Sequence, residues 1–188
     1  MVHALASSGL ATASTDRAVT ARRAILVCAL GGAGVLALTC GQDHTPLYMW
    51  NASASVPLGL YSLHPSKVRY VGELVAVLSP DPVASFLADG SYLPRGVPML
   101  KHVLALPGQT VCRAGLSIFV DAVAVGDARE RDSRGQPLPV WQGCRLIADG
   151  ELFLMNWRSA DSFDGRYFGP IESSAVIARA QPIWVEKE

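Results

Sequence analysis

The hydrophobic positions after residue 43 fall into short runs that predict β-strands. Apolar or alternating runs of about four to eight residues, separated by Gly and Pro, are typical of strands joined by turns. A single short helix is predicted at Val83–Asp89, ended by Gly90, and Gly126–Pro139 is predicted to be an exposed loop. The runs indicate a mostly β domain built as a curved sheet or barrel, with strands at Gly59–Leu63, Glu73–Ser79, Met99–Leu106, Thr110–Arg113, Ser117–Val120, Glu151–Asn156, Val176–Arg179 and Pro182–Val185.

An uncharged apolar segment, Ala24–Gln42, precedes this domain. As a helix it would span roughly 28 Å, enough for a bilayer core. Arg17, Arg22 and Arg23 lie before it, and no Lys or Arg follows until Lys67. The positive-inside rule therefore places the N-terminus in the cytoplasm. A cleaved signal peptide or a buried core helix would also be apolar, but the length of the segment and its lack of a small-x-small cleavage site favour an uncleaved anchor.

These observations divide the chain into three parts. We expect residues 1–23 to be a cytoplasmic segment, 24–42 a single-pass transmembrane anchor, and 43–188 a folded domain outside the cytoplasm. Half of the residues are apolar and the net charge is zero. A nucleic-acid partner is not expected, because such surfaces are usually basic. Extensive disorder is also not expected, because it requires few apolar residues and a high net charge.

The four cysteines divide between the anchor and the outer domain. Cys28 and Cys40 lie in the apolar segment and are interpreted as small apolar side chains. Cys112 and Cys144 lie in the outer domain, where an oxidising compartment would allow them to form a disulfide. Closing that loop would stabilise the fold by about 3–4 kcal/mol on the chain-entropy model. No Cys or His spacing indicates a metal site, and no cofactor is expected.

Lys101 is one of only three lysines and lies in the apolar run Val97–Gly108. In a strand, its side chain shares a face with Met99 and Val103. Apolar surroundings lower the pKa of a lysine because they disfavour its charged form. A neutral amine can then take a proton from a serine hydroxyl. An edge-strand lysine that guards against aggregation would explain this residue equally well by itself.

Ser55 lies in a turn that could supply this hydroxyl. Pro57 fixes its own φ angle, and Gly59 allows backbone conformations closed to other residues, so the turn could hold a serine rigidly. An ordinary serine-rich turn has the same composition, but together with Lys101 the turn predicts a Ser-Lys hydrolase. His102 would point to the opposite face of the strand. All four histidines are therefore interpreted as non-catalytic.

A third polar block, Ser159–Pro170, could support this pair. Asp164 and Arg166 could form an ion pair that braces the site. Ser162 could hydrogen-bond to the lysine amine and orient it. The alternative for this block is a polar loop between strands.

These three blocks, in this order, resemble the signal peptidase I superfamily of Ser-Lys membrane peptidases, and in detail its conjugal-transfer signal peptidases of the TraF type. Asn51–Tyr61 matches the TraF-type pattern Asn-x-x-x-Ser-x-Pro-x-Gly-Leu-Tyr, whereas general leader peptidases place the proline three residues after the serine. Leu100–Gly108 matches the lysine box, and Ser162–Pro170 matches the last box. The chain departs from the usual family residues at Glu73, His102, Gln109 and Gly165.

The resemblance implies a signal-peptidase-like curved β-sheet or barrel that follows one transmembrane helix. It implies that neutral Lys101 deprotonates Ser55, which attacks the scissile carbonyl and forms an acyl-enzyme. The backbone N–H of Ser55 and the hydroxyl of Ser53 resemble the family's oxyanion hole. Ser162, Asp164 and Arg166 match its supporting residues.

For TraF-type enzymes, the resemblance further implies that the substrate is a conjugative pilin precursor whose ends are joined. It places the anchor in the inner membrane and the catalytic domain in the periplasm, with the mating-pair-formation apparatus as a further partner.

A general signal peptidase I that removes secretory signal peptides is the nearest alternative function. A self-cleaving repressor-type peptidase shares Ser-Lys chemistry, but no DNA-binding helix pair is evident. A non-enzymatic scaffold of a conjugation or secretion apparatus is the alternative from another class.

Overall fold

A computed structural model describes residues 22–34, 46–66 and 69–186 of the chain. Two compact units are present, Met1–His44 and Thr45–Glu188. In the first unit, the described residues 22–34 are helical and are called α1. No helix within the described ranges is both long enough and apolar enough to cross a membrane. Part of the expected anchor, residues 35–42, and most of the expected cytoplasmic segment lie outside the described residues.

The second unit is mostly β. It contains two short helices, α2 (Val83–Asp89) and α3 (Gly165–Phe168), and a 3₁₀ turn at Ser173–Ala175. Its strands are β1 (Tyr48–Asn51), β2 (Gly59–His64), β3 (Leu74–Val77), β4 (Met99–Ala105), β5 (Thr110–Ala114), β6 (Ser117–Val120), β7 (Val123–Asp127), β8 (Gly143–Leu146), β9 (Glu151–Leu154), β10 (Ile171–Glu172) and β11 (Val176–Val185).

The strands form two antiparallel sheets. The larger is a curled half-barrel with the order β1-β2-β11-β3-β4-β9-β10, and the smaller has the order β7-β6-β5-β8. β3 and β4 therefore lie near the middle of the larger sheet. This position matters for the site, because a side chain on β4 has hydrogen-bonded strands on both sides of it.

The centre of the larger sheet is buried on both faces. Ala76 of β3 packs on one face with Tyr61 and Leu100, whereas its neighbours Val75 and Val77 pack on the other. Side chains alternate between the two faces of a strand, so a continuous apolar run is what a strand covered on both sides requires. A polar side chain on β3 or β4 therefore loses much of its hydration.

A separate apolar cluster contains side chains from both sheets. Val111 and Ile118 of the smaller sheet pack with Phe153 of β9 and with Met155, which follows β9. All four side chains are almost fully buried. The cluster fixes the position of β9, which pairs with β4 and leads into the third polar block.

The prediction of a mostly β domain is confirmed, and β2–β6, β9 and α2 overlap the predicted elements closely. β1, β7, β8, β10 and α3 were not predicted. The prediction of an exposed loop is wrong at its first two residues, Gly126 and Asp127, which belong to β7, and at Ala128 and Leu138, which are buried in an apolar cluster with Tyr167. β8 is exposed at all four positions and β10 has two residues, so neither has a hydrophobic pattern to detect.

The prediction of two separate C-terminal strands is wrong, because β11 runs without interruption from Val176 to Val185. Pro182 lacks a backbone N–H and would break a strand that is paired on both sides. Beyond Arg179, however, β11 pairs only with β2, and the register shifts between Pro182 and Trp184. One edge of the strand is therefore free to accommodate the proline.

Cys112 and Cys144 are directly opposite each other in the β5–β8 pair, with Cα atoms 4.0 Å apart, and form a disulfide. The bridge attaches β8, whose side chains are all exposed, to the rest of the smaller sheet. A strand with so little buried apolar surface gains little from packing. The disulfide therefore holds β8 against β5 by a covalent bond.

We expect this disulfide in protein purified from its native compartment. Peptide mass mapping without reduction should recover a fragment that joins Cys112 to Cys144 and is released by a reductant. Alkylation of both thiols in the untreated protein would show that the pair is reduced.

Candidate active site

Asn51 shapes the turn that carries Ser55. Its buried side-chain amide donates to the carbonyl oxygens of Ser53, Val56 and Pro57, at 2.8, 3.1 and 3.0 Å. Its Oδ1 accepts the backbone N–H of Ser53 at 3.1 Å. One side chain at the end of β1 thus bonds to four backbone groups of the turn, and such groups need partners when they are buried. The first residue of the serine motif is therefore its organising residue.

Gly59 and Tyr61 hold the far end of the same turn. A Cβ at Gly59 would lie 2.2 Å from the carbonyl oxygen of Trp184, and the φ angle of Gly59 is +143°. Only glycine fits this close approach of β2 to β11 without strain. The Tyr61 hydroxyl donates to the carbonyl oxygen of Pro57 at 2.7 Å. The Gly-Leu-Tyr end of the motif thus anchors the turn to the sheet.

The Ser55 side chain is half-buried and faces a second serine. Its Oγ lies 3.2 Å from Ser53 Oγ, and its backbone N–H donates to the same Ser53 oxygen at 3.5 Å. Both side chains are short and lie on one turn, so their hydroxyl groups are close together. The arrangement places a hydroxyl and a backbone N–H beside the Ser55 oxygen.

Lys101, on β4, is 5% exposed, and its Nζ donates to Ser162 Oγ at 2.8 Å. Burial lowers the pKa of Lys101 from 10.5 to about 8. The carboxylate of Asp164 opposes this shift, and the guanidinium of Arg166 adds to it. Desolvation dominates because the charged ammonium loses its water on a covered strand. Lys101 can therefore carry a useful fraction of neutral amine near neutral pH.

Asp164 and Arg166 form a buried ion pair next to Ser162. Arg166 Nε and Nη2 each donate to the carboxylate at 2.9 Å, which is a bidentate contact. Burial acts to lower the pKa of Arg166, but the neighbouring carboxylate holds it above its ordinary value. Arg166 Nη2 also donates to the carbonyl oxygens of Ser159 and Ser162 at 2.6 and 3.2 Å. The pair therefore fixes the backbone that carries the Ser162 hydroxyl.

Asn156 connects this pair to β4. Its backbone N–H donates to Asp164 Oδ2 at 3.0 Å, and its side chain donates to the carbonyl oxygen of Leu100 at 3.0 Å. Its Oδ1 accepts the backbone N–H of His102 at 3.1 Å. The sequence interpretation did not assign a role to Asn156. An asparagine at the end of a buried strand, before a polar block, was the available signal.

Four candidate residues line one cavity of about 450 Å³: Ser53, Ser55, Lys101 and Ser162. Asp164 and Arg166 do not line it. Cys112 and Cys144 are also not part of its lining. Among the described residues, Ser55 Oγ bonds to Ser53, Lys101 Nζ bonds to Ser162, and no hydrogen bond joins Ser55 to Lys101. Within the same ranges, no group of three or more His, Cys, Asp or Glu side chains is placed to hold a metal ion.

The four residues that depart from the usual family residues make the following local contacts. Gln109 closes a turn by accepting the N–H of Leu106 at 2.9 Å. Gly165 leaves no space for a side chain, since a Cβ would lie 2.7 Å from the carbonyl oxygen of Leu154. Glu73 is fully buried, with Arg69 and Arg179 each 3.8 Å away. His102 packs against Trp157 in a tilted arrangement, with ring centroids 4.8 Å apart.

Breaking the buried pair should be costly, because it leaves a buried charge without a partner. Asp164→Asn should lower the free energy of unfolding by about 3–5 kcal/mol. Asp161→Asn is a matched control, because Asp161 pairs with Arg129 on the exposed surface. That change should cost less than about 1 kcal/mol. Urea unfolding of the three proteins measures the difference, and equal costs would contradict the bracing role of Asp164.

Comparison with known proteins identifies the family of this chain. The family model described as signal peptidase, peptidase S26, matches residues 20–185. The conjugal transfer protein TraF of Agrobacterium fabrum strain C58 is 34% identical over 184 residues, which cover 90% of this chain and 97% of that protein. The plasmid transfer protein TraF of Escherichia coli is 31% identical over 164 residues, which cover 82% of this chain and 92% of that protein.

A solved structure of a signal peptidase I from Enterococcus faecalis V583 was also matched. The match covers 60% of this chain and 97% of that one, with 17% sequence identity and a TM-score of 0.37. The family model covers nearly all of the described β domain. The alignments with the two TraF proteins cover most of this chain and most of each relative. The chain therefore belongs to the signal peptidase family of peptidases, S26, and has TraF proteins among its relatives.

Proposed function

We propose that this protein is a membrane-anchored serine endopeptidase that cleaves a precursor protein with a Ser55–Lys101 dyad. The observation that carries the proposal is the Lys101 amine. It is almost completely buried, has a pKa lowered to about 8, and shares a cavity with Ser55. A buried lysine with a lowered pKa is suited to act as a general base.

In the first step, neutral Lys101 takes the proton of Ser55 as Oγ attacks the scissile carbonyl. The carbonyl oxygen becomes an oxyanion, which the Ser55 N–H and the Ser53 hydroxyl would stabilise. The C–N bond then breaks, and Lys101 returns the proton to the leaving nitrogen. The product is an ester between the substrate's acyl group and Ser55. Water or an amine completes the cycle by attacking this ester.

Ser55 must turn from Ser53 toward Lys101 before it can react. A change between staggered rotamers requires no backbone movement. The same rotation frees the Ser53 hydroxyl to donate to the oxyanion. Ser162 holds Lys101 Nζ in place meanwhile, and the Asp164–Arg166 pair keeps Ser162 in position.

We propose a conjugative pilin precursor as the substrate and joining of its ends as the fate of the acyl group. The names of two relatives, conjugal transfer protein and plasmid transfer protein, support the setting. Joining requires an amine to reach the acyl-enzyme before water does, which is ordinary acyl-transfer chemistry. The mating-pair-formation apparatus is the proposed further partner.

The proposed location is the inner membrane, with Ala24–Gln42 as the anchor and the β domain in the periplasm. The arginines before the segment support this orientation. Large apolar side chains at the start of the domain and on β11 support a nearby membrane surface. They are more than half exposed and include Leu47, Tyr48, Trp50, Ile183 and Trp184.

The dyad predicts that Ser55→Ala, Lys101→Ala and Lys101→Arg abolish cleavage of a pilin precursor while leaving the protein folded. Arginine fails as a replacement because its guanidinium stays protonated. Ser53→Ala should lower kcat by about 10²–10³ through loss of an oxyanion donor. The precursor and its product are separated by electrophoresis and identified by mass spectrometry.

Lys67→Ala and Lys187→Ala are the matched controls and should retain wild-type cleavage. Wild-type kcat/KM should rise about tenfold per pH unit below pH 8 and level off above it, because the base must lose its proton first. Cleavage by Ser55→Ala or Lys101→Ala would exclude the dyad. If the wild type cleaves neither pilin nor secretory precursors while every variant supports transfer, the protein is a scaffold.

The proposed topology predicts the behaviour of reporter fusions made after Trp50. Alkaline phosphatase, which requires export, should be active at this site, and a cytoplasmic reporter should be inactive. A fusion after Arg23 should show the reverse pattern. Activity of the cytoplasmic reporter after Trp50, or a mature protein without its first 40 residues, would contradict an uncleaved anchor.

A further inference from the structure

Ser55 lines two separate cavities of similar size. The first cavity, of about 450 Å³, holds Lys101 and Ser162. The second cavity, of about 460 Å³, is lined by Val56, Leu74, His102 and Trp157 among others. Ser55 is the one described residue that lines both. The proposed nucleophile therefore lies at the boundary between two cavities.

The alternation of side chains along β4 assigns one residue to each cavity. Lys101 and His102 are consecutive, so they point to opposite faces of the sheet. Lys101 lines the first cavity and His102 lines the second. The strand thus places an amine on one side of the serine and an imidazole on the other.

The contacts of His102 determine which ring nitrogen carries its proton. Asn156 Oδ1 accepts the backbone N–H of His102, and Asn156 Nδ2 donates to the carbonyl oxygen of Leu100. The orientation of the amide is therefore fixed, with Oδ1 toward the ring at 2.9 Å from His102 Nδ1. Nδ1 must donate to this oxygen. In the neutral ring, Nε2 is left as an acceptor, and within the described residues it has no partner.

Burial keeps this imidazole neutral near pH 7. The pKa of His102 is lowered mainly by desolvation, against the hydrogen bond to Asn156, and the charges of Arg158 and Lys101 lower it further. Around the ring, the second cavity is largely apolar, with Val56, Pro57, Leu74, Pro182 and Val185 in its wall. Ser55, Tyr61, Asn156 and Arg158 supply its polar lining. The cavity is therefore mainly apolar, and it presents His102 Nε2 as a hydrogen-bond acceptor without a partner among the described residues.

We propose that the second cavity binds the amine half of the reaction, and that His102 Nε2 orients it by accepting an N–H hydrogen bond. The occupant is first the substrate residue that follows the scissile bond, and then the amine that takes the acyl group. An apolar amino-acid side chain would fill the cavity. This inference rests on the proposed function, because it requires an acyl-enzyme at Ser55.

The first cavity is assigned to the acyl half by the position of the oxyanion donors. The carbonyl oxygen must reach the Ser53 hydroxyl, which lines the first cavity but not the second. The acyl and amine halves of the substrate diverge at the attacked carbon. With the acyl half beside Ser53 and Lys101, the remaining space at Ser55 is the second cavity.

The transfer step balances without any further reactant. The neutral amine nitrogen attacks the ester carbon, the N–C bond forms, and the bond to Ser55 Oγ breaks. Lys101 takes the proton from the amine and delivers it to Ser55 Oγ. His102 acts only as a hydrogen-bond acceptor and neither gains nor loses a proton overall.

Partition of an acyl-enzyme between water and an amine tests this inference. The full chain is given acetyl-alanine 4-nitrophenyl ester with leucinamide or glycinamide as acceptor, and the acid and amide products are quantified by mass spectrometry. Both products come from one acyl-enzyme, so their ratio is independent of how fast that intermediate forms. For the wild type, the amide-to-acid ratio should saturate with leucinamide and exceed the ratio with glycinamide.

His102→Ala and Trp157→Ala should each lower the leucinamide ratio by about five- to tenfold, the loss expected for one hydrogen bond or one apolar contact. Trp157 is 39% exposed, so its removal should not prevent folding. His64→Ala is the matched control, since His64 is exposed on β2 and lines neither cavity. It should leave the ratio unchanged.

The outcomes separate the two proposals. Nitrophenol release by Ser55→Ala at the wild-type rate would overturn the proposed function, and this inference with it. Ser55-dependent release with an unchanged ratio in both variants would overturn this inference alone. So would a wild-type ratio that rises linearly with amine concentration, without preference for leucinamide, or an absence of amide product.

Discussion

Burial of the Lys101 amine is the constraint on which the rest of the site depends. A charged lysine on a covered strand loses its hydration, and one neutral hydrogen bond to Ser162 does not replace it. The protein could have compensated with a carboxylate in direct contact, which would keep the amine charged. Instead, Asp164 gives its carboxylate oxygens to Arg166 and to a backbone N–H. The amine is left with a hydroxyl, and its pKa falls.

The fold creates this situation by placing β4 near the middle of the larger sheet. Val75, which is paired with Lys101, and Val103, two residues further along β4, are fully buried, and Leu154 of β9 is paired with Val103. An edge strand would have left the amine in water. The desolvated amine and the bracing loop therefore depend on one another, since Asn156 ties the loop back to the same strand.

Much of this arrangement could be predicted from the sequence, because the elements concerned are marked by short segments of the chain. β4 was predicted from an apolar run and α2 from a short run ended by Gly90, and a contact from Ser162 to the Lys101 amine was expected from the polar block Ser159–Pro170. The roles of Asn51 and Asn156 were not readable. Asn51 bonds to backbone groups within six residues of it, whose positions depend on the shape of the turn, whereas Asn156 bonds to Leu100 and His102, 56 and 54 residues away. The same applies to β8, which exists through its pairing and its disulfide rather than through a hydrophobic pattern.

The two serine hydroxyls of the turn add a last constraint. Ser55 Oγ and Ser53 Oγ share one hydrogen bond, which engages the proposed nucleophile with the proposed oxyanion donor. One rotation of Ser55 toward Lys101 would release both together. A substrate that covers the first cavity would also exclude water from the Lys101 amine and so lower its pKa further. Substrate binding would thus favour the neutral base, the free nucleophile and the free donor at the same moment, and the unoccupied site would remain the less reactive one.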